Sequence, residues 1–144
     1  MQRLNGERDG DNLVHGSGNI IYGTLNDLLG NGNAVIGHGN LLGGHSNEVI
    51  GHLNAVNGHE NNVLGNLNAI YGNSNILEGN LNAIEGNENG ISGHQNIIYS
   101  GEDNIILGQS NRISGDCNQL VGSSNTVIGS GNLIDDGDNN LVYG

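Results

Sequence analysis

Four histidines are spaced as metal ligands could be. His38 and His52 stand fourteen residues apart, as do His45 and His59. A chain that returned on itself with that period would stack each pair and offer imidazole nitrogens to a transition metal. Asn66, Asn73 and Asn80 fill the same position elsewhere, so the plainer reading is a solvent-facing corner where His and Asn alternate. Calcium-binding rolls need aspartates at fixed places in a nine-residue repeat. Here Asp27, Asp103, Asp116 and the other aspartates keep no common phase; only the acidic stretch from Asp135 to Asp138 gathers enough carboxylate for one weakly held cation. Glu85 and Glu88 read as solvated charges rather than a catalytic pair. The chain has no lysine to complete a phosphate loop. Cys117 has no basic neighbour in sequence to activate it. These residues predict no enzyme, no catalytic residue, no metal site and no cofactor.

What must position all of them is a seven-residue repeat, Gly-x-x-Asn-x-apolar-x. It runs without a slip through nine copies that begin at Gly37 and recur to Gly93. Each glycine is followed three places later by one of Asn40, Asn47, Asn54, Asn61, Asn68, Asn75, Asn82, Asn89 and Asn96. An aliphatic residue follows two places after each asparagine, from Leu42 to Ile98. The pattern starts at Asn12 and Val14, takes one extra residue at Ser100 and another near Asp135 and Asp136, both expected to bulge at corners, and continues to Gly144. Residues 1–11 read as an irregular start or cap, although Asn5 is in phase with Asn12; residues 12–144 read as one domain.

Composition agrees with a repeat rather than a folded globule. Glycine and asparagine dominate, aromatics are 3%, and proline and tryptophan are absent. Such a mixture without a period would suggest disorder, but disorder does not require an aliphatic residue at one phase. The net charge of −12 argues against nucleic acid and anionic membranes, which need clustered Lys and Arg. No apolar run reaches membrane length, so no membrane insertion is expected. The first residues, MQRLNGERDG, lack a secretory apolar stretch. That leaves either a cytosolic protein or one whose export signal has been removed.

A heptad period also describes coiled coils, but those need two apolar positions per heptad, and a glycine in every turn would cost a helix about 1 kcal/mol each. An extended segment fits instead. Asn and the aliphatic residue, two apart, share one face of a strand, and glycine supplies the corner. Two heptads close a flat coil of fourteen residues. The predicted fold is therefore all-β, a parallel β-solenoid (β-roll) of about nine or ten coils stacked at ~4.8 Å. The aliphatic residues would fill a thin interior, and the asparagines would stack as ladders that satisfy one another's amides.

The Asn-x-Val-x-Gly core, as in Asn125-Thr126-Val127-Ile128-Gly129, resembles the repeats of grass ice-recrystallisation-inhibition (antifreeze) proteins. It is more distantly similar to the head repeats of trimeric autotransporter adhesins. Both resemblances imply a parallel β-roll with about two heptads per coil, over nearly the whole chain. The grass resemblance implies ice as a partner through a flat face; the adhesin resemblance implies lateral packing of rods.

The outward positions separate these functions. One arm carries Ile20, Tyr22, Ile36, Ile50 and Leu64, a self-association face. The other carries Leu41, Ala55, Ala69 and Ala83, the most uniform outward run and the candidate ice face, with Asn57, Tyr71 and Glu85 roughening the row beside it. Only Thr126 among these positions is a threonine. Extended apolar patches on a soluble chain mark interaction sites, and open terminal coils invite strand pairing. The expectation is a non-enzymatic structural protein, a self-associating rod forming a fibre or adhesive surface element, with lateral and end-to-end contacts to itself. Ice binding, or a surface ligand, is the alternative. A cell-surface or extracellular place follows from that class of function.

Overall fold

A computed structural model describes Arg8, Asp9 and residues 11–144. Asn5, in phase with the ladder, lies outside the described residues, as does most of the expected cap. Every described element is a strand, and among the described residues no helix is long and apolar enough to cross a membrane.

The chain is a β-solenoid in which successive heptads alternate between two parallel sheets. Among the described residues eleven strands lie on one side and nine on the other, and apart from Arg8–Asp9 each pairs in parallel with strands two elements away in sequence. The middle of the eleven-stranded sheet is Leu41–Gly43, Ala55–Asn57, Ala69–Tyr71 and Ala83–Asn87. Opposite it lie Glu48–Ile50, Asn62–Leu64, Ile76–Asn80 and Gly90–His94. Residues fourteen apart are paired, as Ala55, Ala69 and Ala83 are, or Val49 and Val63. The exception to parallel pairing is Arg8–Asp9, which runs antiparallel along Asn12 and Leu13.

The interior follows from the period of two along each strand. Seventeen aliphatic side chains, from Val14 to Val127, and seventeen asparagines, from Asn12 to Asn125, are buried. Half of the buried positions are thus polar, so the core holds only if every amide is paired. It is. Asn68 donates its backbone N–H (3.1 Å) and one Nδ2 hydrogen (3.1 Å) to Oδ1 of Asn54. The other Nδ2 hydrogen reaches the Gly79 carbonyl at 2.9 Å. Its own Oδ1 accepts the backbone N–H (3.0 Å) and Nδ2 (3.2 Å) of Asn82. The same three donations recur along both sheets, and among the described residues no buried side-chain nitrogen or oxygen lacks a partner. Each buried aliphatic side chain adds about 1.5–3 kcal/mol relative to exposure.

The two insertions are absorbed differently. Ser100 does not sit in the corner. It lies within strand Ile97–Glu102, where the pairing with Ala83–Asn87 shifts between Ile84 and Gly86. Register is recovered at Gly86 with Gly101, so the extra residue is confined to the outward, solvent-exposed side. The second insertion falls at a turn, where Asp136 and Asn139 both take positive φ.

Candidate functional site

Each sheet presents two outward rows running along the rod, because residues before and after the buried aliphatic face solvent. On the eleven-stranded sheet Leu41, Ala55, Ala69 and Ala83 fall in one row, in direct register. The neighbouring row reads Gly43, Asn57, Tyr71 and Glu85. The small alanines make the floor of a shallow trough of about 890 Å³, bordered by Leu41, Tyr71, Ile97 and Tyr99. On the nine-stranded sheet Tyr22, Ile36, Ile50 and Leu64 form one exposed row in register. Ile20 belongs to the adjacent row and is half-buried. The ladder asparagines Asn40 to Asn96 are all buried, with their amides bonded inside the roll beneath these rows.

The corner histidines have a structural task. The rings of His38 and His52 stack with centroids 5.1 Å apart, and those of His45 and His59 at 5.0 Å. The backbone N–H of His38 donates to Nδ1 of His52 (3.1 Å), and that of His45 to Nδ1 of His59 (3.1 Å). An N–H can only donate, so Nδ1 carries the lone pair and is already committed to the backbone. Asparagines do the same work: the N–H of His52 donates to Oδ1 of Asn66 (2.9 Å) and that of His59 to Oδ1 of Asn73 (2.9 Å). Asp116 and Asp138 likewise accept from Glu102 and Ser123. This outer ladder runs opposite to the inner one, with the earlier coil donating to the later. Among the described residues no group of three or more His, Cys, Asp or Glu is arranged to hold a metal.

Sequence reading treated this corner position as free exchange between Asn and His. The signal it missed is chemical. Asn, His, Asp and Ser all carry a lone pair one or two bonds from Cβ, the reach needed to meet the N–H of the coil below. No apolar residue occupies the position from Ser17 to Asp138.

Two parallel sheets, fourteen-residue coils and an internal asparagine ladder are now joined by a direct comparison. Residues 71–144, slightly more than half of the chain, match the family model described as the grass antifreeze beta roll. The chain belongs to that family. No curated protein matches it. The matched segment begins in the middle of the alanine row, and the residues before it continue both sheets with the same pairing, so the antifreeze roll and the first half of the chain form one unbroken stack. The resemblance to the grass proteins read from Asn-x-Val-x-Gly is borne out at the level of family and fold.

Proposed function

We propose that this protein binds ice and inhibits its recrystallisation, through the outer face of the eleven-stranded sheet centred on Leu41, Ala55, Ala69 and Ala83. The observation that carries the reading is the in-register alanine row on a roll of the antifreeze family. Ladders on both sides of the chain hold successive coils at ~4.8 Å, so the row is a rigid repeat with almost no side-chain entropy to lose. Water ordered over such a row can be shared with an ice surface. The bulkier neighbours Tyr71 and Glu85 restrict the flat area. The reading is therefore of weak adsorption repeated along a rod, enough to slow the movement of grain boundaries. No catalytic step forms part of it.

Ala69 is exposed and its β-carbon faces outward, so Ala69→Tyr leaves the core untouched while placing a ring in the middle of the row. The expected result is loss of ice-crystal shaping, with the concentration that arrests recrystallisation rising by at least roughly tenfold, equivalent to ~1.4 kcal/mol of adsorption free energy. Unchanged shaping would remove this face, and a parent protein with neither activity would remove the reading.

A second reading is favoured by the exposed row of Tyr22, Ile36, Ile50 and Leu64 on the opposite sheet. It is lateral self-association. Four coils offer less than the ~1,000 Å² typical of a stable interface, which makes this contact weak and concentration-dependent. Ile50→Lys is expected to abolish any association seen by sedimentation at high concentration while leaving ice activity intact. A parent that sediments as a monomer throughout rejects self-association.

A further inference from the structure

Every corner forces the residue before the ladder asparagine into the left-handed region. Leu25, Leu53, Leu67 and Leu81 have φ of 61°, 57°, 58° and 61°. Non-glycine residues pay strain there, and leucine gains nothing from it. All four side chains are also at least half exposed. Both penalties are avoidable, because Gly18, Gly32, Gly39 and Gly131 occupy equivalent places at other corners.

The leucines are also one-sided. They lie only at the corner leading into the eleven-stranded sheet. Over the same coils the opposite corner carries Gly18, Gly32, Ser46, Glu60 and Ser74. Each of three leucines begins the triplet Leu-Asn-Ala, at 53–55, 67–69 and 81–83. A leucine column therefore runs beside the alanine row, one buried asparagine away, over the same three coils. Leu53 leans along the column over Gly39, its Cδ2 2.9 Å from where a β-carbon would stand on that glycine, so the gap at Gly39 is covered.

We propose that this leucine column is the second half of the ice-contacting surface, so that ice is engaged by the leucine and alanine columns together rather than by the sheet face alone. The inference rests on the ice-binding reading above and adds the residues that extend it. At this corner the chain is leaving the nine-stranded sheet and entering the eleven-stranded one, so each leucine stands at the edge of the alanine face. Leucine carries three more carbon atoms than alanine, and the exposed side chains of Leu53, Leu67 and Leu81 widen the apolar strip beside the row. On the other flank the bulkier Tyr71 and Glu85 line the trough beside the alanines, so the apolar strip is continued by the leucines rather than by that row. Continuity with the alanine row is what selects ice as the occupant. A ridge one residue wide and a few coils long is too narrow to hold a second protein by itself.

The test is the triple variant Leu53→Gly, Leu67→Gly, Leu81→Gly, compared with Glu60→Gly, Ser74→Gly at the opposite corner. Glycine is at home in this conformation, so both proteins should fold, with melting temperatures not below the parent. The triple variant is expected to lose at least roughly tenfold in recrystallisation inhibition, and the double variant none. A parent that is active and a triple variant that is equally active overturn the inference while leaving the alanine face in place. A parent with no ice activity overturns the ice reading itself. Sedimentation of the same samples closes the remaining route: a triple variant that loses only self-association, with ice activity per mass unchanged, also overturns the inference.

Discussion

Gly65→Ala is expected to disrupt the stack, although it adds one methyl group to a corner. Gly65 has φ of 138°, where an L side chain is strained before any neighbour is considered. A β-carbon built there would fall inside the Gly79 carbonyl group of the next coil, 2.7 Å from its carbon. That carbonyl cannot retreat, because it accepts the Asn68 amide at 2.9 Å. Glycine and asparagine of the motif are thus one device. The asparagine draws the carbonyl of the following coil across the glycine, and only a residue without a β-carbon leaves room for it. The methyl must separate two coils locally and break that bond, at a cost of about 4 kcal/mol, within the range where single substitutions become exceptional. Thermal melting should fall by roughly 10 °C. Gly90→Ala is the control. Gly90 has no positive φ and nothing within 4 Å of the added carbon, so it should melt within about 2 °C of the parent. Equal behaviour of the two variants would show that the close approach of the coils has been misassigned.

The repeat was legible because three of its seven positions answer to constraints inside the chain itself. Glycine, asparagine and the aliphatic residue each have one permitted chemistry at their place. Val56, for instance, is sealed between neighbouring coils at 2% exposure. The left-handed position before the asparagine was not legible, although its geometry is as regular. Leu53, Glu60, Ser74, Gln95 and Cys117 all adopt it, since the backbone bonds that fix the corner do not involve the side chain. The Leu53 N–H, for example, donates to the His38 carbonyl at 3.0 Å. The outer ladder was hidden for a related reason: its requirement is for a lone pair at a given reach, and His52, Asn66 and Asp116 satisfy it with different residue types. The bulge at Ser100 was visible as one extra residue but not as a strand feature. The functional faces were the least legible. Ala55, Ala69 and Ala83 could be placed in one row from the period alone, but the period says nothing about what lies across from them. No contact within the chain fixes which chemistry they carry, and the family match bears on the roll as a whole rather than on this row.

Asn68→Leu should destabilise the roll far more than Asn73→Leu, although both remove one stacked amide. Asn68 is 2% exposed. Its removal strands the Gly79 carbonyl, which loses its 2.9 Å donor. It also strands the backbone N–H and Nδ2 of Asn82, which lose their common acceptor at 3.0 and 3.2 Å. Water cannot replace these partners between closed coils, and each buried group left unpaired costs about 1–3 kcal/mol. The sum, roughly 3–9 kcal/mol, is comparable with the whole stability of a typical domain. Leucine's greater hydrophobicity cannot offset this, because the side chain would face amides above and below rather than other aliphatic groups. Asn73 also joins a ladder, accepting the His59 N–H at 2.9 Å and donating through its N–H and Nδ2 to Asn87 at 3.0 Å each. It is exposed at the corner, however, and water takes over the His59 N–H and the Asn87 oxygen. The loss there should stay near 1 kcal/mol, the ordinary net value of a solvated hydrogen bond. Denaturant unfolding of the two variants separates the cases, with a large fall in midpoint for Asn68→Leu and a small one for Asn73→Leu. Equal falls would mean that the inner and outer ladders contribute alike and that burial of the amides is not what makes the asparagine obligatory.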